Sequence, residues 1–336
     1  MSERKLAMRR LGQSGPEVSA IVLGCMGMSG MYGQADEKES VATIHAAIDA
    51  GINLLDTGDF YGMGHNEMLI GRALREMGSG TRDRVLLSVK FGAQRGPDGA
   101  WLGYDARPAA VKTALAYTLT RLGVDHIDIY RPARLDPAVP IEETVGAIGE
   151  LIEKGYVRYV GLSEVGAETA RRAAAAHAVS DLQIEYSLIS RGPEKDIFPA
   201  LRALGIGVTA YGVLSRGLLS RSRPQQQGDL RGRLPRFSGT NYQKNQKLLA
   251  AFEEFAAGQG ATPAQIAMAY VLAKEPLAVP VMGARTRRQL DEALRGAAIR
   301  LSPEDVQELE KRVPWEQVAG SRYDEHQMRV LDSERA

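Results

Sequence analysis

The chain has 336 residues, 44% hydrophobic and 25% charged, with a formal net charge of +1. That composition supplies a core and excludes a disordered chain, and so small a charge gives no field for nucleic acid or an anionic membrane. The single cysteine, Cys25, excludes an internal disulfide and suits a reducing compartment.

No apolar run approaches a membrane span, and MSERKLAMRR is not followed by the apolar stretch of a signal peptide, so a cytoplasmic location is expected. The five histidines, His45, His65, His126, His177 and His326, are scattered, and no metal site is expected.

Along the chain, short β-branched runs alternate with segments of helical period. The runs are VSAIVLG, INLLDTG, RVLLSVKFG, HIDIYRP, VRYVGLS, LQIEYSL, GIGVTAYG and LAVPVMG. Between the first two, Asp36 is an N-cap candidate, Val41, Ile44 and Ile48 share a face, and Gly51 can close the helix in left-handed geometry. After the third run, Val111, Leu115, Leu119 and Leu122 form the stripe of another helix. Alternation of this kind implies parallel strands with right-handed crossovers. Eight strands close an α/β barrel, the (β/α)8 or TIM barrel. The rival doubly wound sheet normally carries GxGxxG after its first strand, and GCMGMSG lacks that spacing.

The expected organisation is one barrel domain over 1–336 with two interruptions. A basic, Pro-, Gly- and Gln-rich segment at about 221–246, containing Arg231, Arg233 and Arg236, reads as a long loop and a candidate lid. A polar tail begins at about Trp315.

In such a barrel chemistry sits at the C-terminal ends of the strands. The second run ends on Asp56, with Asp59 and Tyr61 just beyond, and the third carries Lys90 near its end. A lysine in an apolar run needs a partner, and Asp56 on the adjacent strand is the natural one. A cation beside Tyr61 is expected to lower its phenol pKa from about 10 and fit it for proton transfer. The bland alternative is a structural ion pair beside a loop aromatic. Asp59 is expected to shape the loop.

These segments resemble the aldo-keto reductase family over about residues 9–313, through LGCMGMS, LLDTGDFYGMGHNE, LSVKFG, GYVRYVGLSEV, LQIEYSLISR, AYGVLSRGLL and VPVMGARTRRQLDEAL. The resemblance implies an NADPH-binding barrel that passes hydride between nicotinamide and a carbonyl carbon. Tyr61 would be the general acid, Lys90 its tuner and Asp56 the anchor of Lys90.

The cofactor positions it implies start with Gly24 and Met26 by the nicotinamide ribose, and include Asp56. Ser163, Glu164 and Gln183 would face the carboxamide, and Tyr211 would stack on the nicotinamide. Gly212, Val213, Leu214, Arg216 and Gly217 would follow the pyrophosphate. Gly283 and Arg285 would bind the 2′-phosphate, Gln289 stands where arginine is common, Ala293 where asparagine is common, and Glu292 would meet adenine. A guanidinium at 285 favours NADPH/NADP+ over NADH.

One departure is chemical. The family's fourth strand ends Y-x-x-H-R-x-D, and here Tyr130-Arg131-Pro132-Ala133-Arg134-Leu135-Asp136 puts alanine at the histidine. Arg131 and Arg134 flank it. They either polarise a carbonyl or, the reading preferred here, pair with acids such as Asp136. Substrate contacts are expected from Met28, Met31, Tyr32, Trp101, Tyr104, Arg131, Ala133 and Tyr242, which suits a hydrophobic carbonyl compound or its alcohol.

Two other readings match single features of the sequence. A short-chain dehydrogenase would need Tyr-x-x-x-Lys, which Tyr270 and Lys274 match as an ordinary helix pair. An NADPH-binding sensor with little turnover would follow from the loss of histidine at Ala133, as in the potassium-channel β subunits of the superfamily.

Overall fold

A computed structural model describes residues 6–220, 222 and 229–335. Eight parallel strands close into a barrel: β1 Val22–Gly24, β2 Leu54–Gly58, β3 Leu86–Phe91, β4 Ile127–Pro132, β5 Val157–Ser163, β6 Val179–Glu185, β7 Gly207–Tyr211 and β8 Ala278–Gly283. Each pairs with the next, and Val281 and Gly283 of β8 return to Val22 and Gly24 of β1. Buried on both faces, such strands need near-continuous apolar sequence, which is why they read as runs. The expected (β/α)8 barrel is the observed fold.

The first run splits. Glu17–Ser19 pairs with Met8–Arg10 in a hairpin, and only Val22–Gly24 enters the barrel. The hairpin closes the N-terminal end, where its Leu11 and Val18 pack on Val22, Leu54, Ile129 and Val279 inside the barrel.

The helices are α1 Glu37–Asp49, α2 His65–Glu76, α3 Pro108–Leu122, α4 Ile141–Glu153, α5 Ala167–Ala176, α6 Ile197–Leu204, α7 Gly239–Gly258, α8 Pro263–Lys274, α9 Arg287–Ala298, α10 Pro303–Arg312 and α11 Glu325–Val330. Asp36 caps α1 by accepting from Glu39 N, and Gly51 follows it at φ 88°. The α1 and α3 stripes face the main core, with Leu119 only partly buried.

The segment expected as a loop over 221–246 is shorter than that. Its second half is helical from Gly239, preceded by single turns at Leu230–Arg233 and Pro235–Phe237; residues 221 and 223–228 of the candidate lid lie outside the described residues. The polar tail is held against the barrel. Asn245 holds it through Ala319, and Asp332 accepts from Gly166 N at 2.8 Å. Tyr270 and Lys274 both bind Glu310 on α10, at 2.9 and 2.7 Å, as a structural cluster. No helix among the described residues is long and apolar enough to cross a membrane.

Candidate active site

At the C-terminal ends of β2, β3 and β6 a buried polar group forms around Asp56. Its carboxylate accepts from Lys90 Nζ at 2.6 Å, Gln183 Nε2 at 2.8 Å and Ser88 Oγ at 3.0 Å. Asp56 and Lys90 are each 4% exposed. Burial lowers the Lys90 pKa and Asp56 opposes that fall. Ser88 was not expected from sequence; a serine in an apolar run carries no signal until its neighbours are known.

Tyr61 follows β2 in a tight turn, with Gly62 and Met63 at positive φ. Its ring centre lies 5.2 Å from Lys90 Nζ, and Phe60 meets it edge-on. The expected fall in its pKa is not what the structure gives. Burial, and then the charge of Asp56, push the phenol well above 10, while Arg134 leads the opposition. Lys90 stands beside the ring but is ion-paired with Asp56, and burial outweighs it. Asp59 donates its backbone N–H to Lys90 O, and burial, with Glu67 next, pushes its carboxyl up to about 7. Asn66, fully buried, ties the β1 and β2 loops through Thr57, Cys25 O and Ser29.

Ala133 is 2% exposed and donates its N–H to Phe91 O. The two arginines beside it part company, and neither pairs with Asp136, which accepts from the backbone of Ala106 and Ala138. Arg131 is not a substrate contact. It lies wholly inside the barrel, bound to Asp181 at 2.7 and 3.2 Å and to Ser88 at 3.1 Å. Gly161 makes room for it, since a Cβ there would come within 2.9 Å of the guanidinium carbon. Arg134 instead lines the cavity above Tyr61.

That cavity, about 420 Å³, is lined by Gly24, Met26, Met31, Tyr32, Asp56, Tyr61, Lys90, Trp101, Tyr104, Ala133, Ser163, Gln183 and Tyr211, with others. A second, about 170 Å³, shares Tyr211, Gly212, Arg216 and Gly283 with it and continues past Val213, Leu214, Gly217, Arg231, Arg285 and Gln289. The expected residues are thus brought together with few exceptions. Met28, 2% exposed, packs in the core. Tyr242 stacks on Phe237. Glu292 accepts from Thr262 and does not line either cavity. Ala293, 7% exposed, packs in the core. Gly212 is required where it stands: its φ is +69° and a Cβ would meet Glu185 Cγ at 2.9 Å.

Glu164 departs most from expectation. It adopts φ 53°, a strained backbone for a non-glycine residue. Its carboxylate accepts from Arg322 at 3.0 and 2.6 Å, Ser333 Oγ at 2.6 Å, Tyr211 OH at 2.7 Å and Glu185 N at 2.9 Å. Burial works to raise its pKa, but Arg322 and Arg134 hold it far below the usual carboxylate range. A carboxylate has about four lone-pair sites. With five donors already on it, Glu164 has no capacity left for a carboxamide. The tail also brings Tyr323, whose hydroxyl meets Tyr211 OH at 2.8 Å and whose ring lies 4.4 Å from the Arg216 guanidinium.

The model of the aldo/keto reductase family matches residues 20–313. The chain belongs to the aldo-keto reductase family. Like other aldo-keto reductases, it is an oxidoreductase of carbonyl compounds. It is 38% identical over 329 residues to probable aldo-keto reductase 1 of Glycine max, covering 96% of this chain and 93% of the relative. Among solved structures, a glycerol dehydrogenase from Gluconobacter oxydans superposes with a TM-score of 0.80 at 28% identity, over 93% of this aldo-keto reductase and 95% of that one. The holo form of an aldo-keto reductase from Bacillus halodurans gives 0.76 at 29% identity, over 96% and 99%.

Proposed function

We propose that the protein reduces an aldehyde or ketone with NADPH, with Tyr61 as the proton donor. The observation that carries this reading is the convergence of Tyr61, Lys90 and Asp56 on one cavity that continues into an arginine-lined arm.

The arm fits a dinucleotide. Gly212, Gly217 and Gly283 line it, Gly283 with open space where a Cβ would stand, and Arg216, Arg231 and Arg285 supply positive charge. Ser163 and Gln183 would face the carboxamide, without Glu164. When bound, the nicotinamide supplies the hydride. Tyr61, kept protonated by burial, gives its proton to the carbonyl oxygen as negative charge develops there. Lys90, fixed by Asp56, stands beside the phenol and stabilises the phenolate left behind. Arg134 supplies a fixed positive charge next to the position that histidine has left. Phe60, Trp101, Tyr104, Tyr211 and Tyr323 give the cavity largely aromatic walls.

Following the loss of reduced-cofactor absorbance on adding aldehydes and ketones tests the activity. Cofactor choice has its own test. Arg285 donates to Tyr32 O at 3.0 Å and Gln34 O at 3.4 Å, which holds its guanidinium at the arm. Titration by protein fluorescence should show NADPH binding more tightly than NADH. Arg285→Ala should weaken NADPH roughly 10-fold or more, the scale of a lost charged hydrogen bond, with little effect on NADH. Equal affinities in the wild type would remove the 2′-phosphate assignment.

A further inference from the structure

The guanidinium groups around the mouth fall into two classes. Arg216 pairs with Glu185 at 3.1 Å, Arg231 with Asp229 at 2.6 Å and Arg322 with Glu164 at 2.6 Å. Arg134 and Arg95 have no carboxylate within 4.0 Å among the described residues. Arg134 donates only to neutral oxygens: Ala133 O at 2.6 Å, Tyr323 OH at 3.1 Å and Ser163 Oγ at 3.4 Å. Arg95 donates to Gly99 O at 3.1 Å, and its guanidinium lies 4.6 Å from the Trp101 ring centre. Both line the cavity that holds Tyr61.

The nearby acids are committed to other partners, although Glu164 acts on Arg134 through space and helps keep it charged. Asp56 is paired with Lys90, and Glu164 is saturated by the tail. Asp324, exposed at the rim, caps α11 by accepting from Gln327 N. Five cationic side chains line the cavity (Lys90, Arg95, Arg134, Arg216, Arg233) against two carboxylates, Asp56 and Asp324. With no carboxylate in contact, Arg134 and Arg95 keep donor capacity for one, and a guanidinium fork matches the two oxygens of a carboxylate. Tyr104 lies in the field of both arginines, each opposing the rise in its pKa. The remaining walls are largely aromatic: Phe60, Trp101, Tyr104, Tyr211 and Tyr323.

We propose that the substrate is an aromatic aldehyde or ketone bearing a carboxylate, which Arg134, supported by Arg95, holds while the carbonyl faces Tyr61. This rests on the reductase reading above and sharpens the expectation of a merely hydrophobic substrate. The reaction is unchanged: carbonyl carbon gains hydride, carbonyl oxygen gains the Tyr61 proton, and the carboxylate is a handle.

The test compares 4-formylbenzoate with its methyl ester, using the full-length protein and NADPH. The wild type should favour the carboxylate in kcat/KM by roughly 10-fold or more, chiefly through KM, as expected for a charged hydrogen-bonded contact. Arg134→Met should bring the ratio toward one, Arg134→Lys should keep part of it, and Arg95→Met should reduce it less. If the ester is reduced as well as the carboxylate, the anion site is refuted while the reductase reading stands. If neither turns over, the reductase reading is judged separately on the wider set of aldehydes and ketones, while calorimetric titration of both compounds into NADP+-loaded protein decides the site. Tighter binding of the carboxylate, lost in Arg134→Met, supports it; equal binding or none refutes it.

Discussion

Replacing Tyr61 by phenylalanine should lower the rate of carbonyl reduction by roughly 100-fold or more, the scale of a lost general acid. The expectation is sharp because nothing at position 133 can share the work. Ala133 has no side-chain donor and its N–H is taken by Phe91 O, and Arg131 is locked to Asp181 inside the barrel. Affinity for NADPH should change little, since the cofactor arm lies on later strands. Burial and Asp56 raise the phenol pKa, so the acid form persists through neutral pH and past 10. Reduction by the wild type should therefore stay level through neutral pH and not lose Tyr61's proton until strongly alkaline conditions. Lys90→Met should slow reduction too, because the phenolate loses its neighbouring cation. Wild-type turnover in Tyr61→Phe on every substrate that reacts would show that Tyr61 is not the acid.

The second large effect should come from the tail. Arg322 is the main counter-charge for Glu164, whose side chain is fully buried. Arg322→Leu should leave that carboxylate unpaired and cost on the order of 3–5 kcal/mol. It should also loosen Tyr323 from Arg216 and Tyr211, and so weaken NADPH. Glu164→Gln should be milder, and the double variant Glu164→Gln/Arg322→Leu should be less unstable than Arg322→Leu alone. Chemical denaturation of the four proteins reads this as a double-mutant cycle. Additive losses would mean that Glu164 and Arg322 do not act as a pair.

Much of this was legible in the sequence, for identifiable reasons. The eight strands announced themselves because a parallel strand buried on both faces must be apolar along its length. Asp56 and Lys90 could be paired because a charge in such a run demands a partner on the next strand. The partner of Arg131 could not be found that way. Asp181 is 50 residues distant and is reached through the barrel interior, across space that Gly161 leaves open. The role of Glu164 was hidden for a similar reason: the tail reads as polar sequence without period, and the ion pair it brings to Glu164 is made across the fold. Met28 and Met31 look alike as letters, yet one is core and the other lines the cavity. The phenol's raised pKa also escaped sequence reading, which weighs a neighbouring charge more easily than burial.

On the reductase reading the site transfers hydride and proton and does not merely hold a cofactor. Rapid mixing of the NADPH-loaded protein with 4-formylbenzoate and a panel of neutral aldehydes tests it in a single turnover. One equivalent of reduced-cofactor absorbance should be lost per active site, with formation of the alcohol, and Tyr61→Phe should slow this by roughly 100-fold or more. Tight NADPH binding with the cofactor remaining reduced across the whole panel would contradict it, and would mark the protein as a nucleotide-binding sensor.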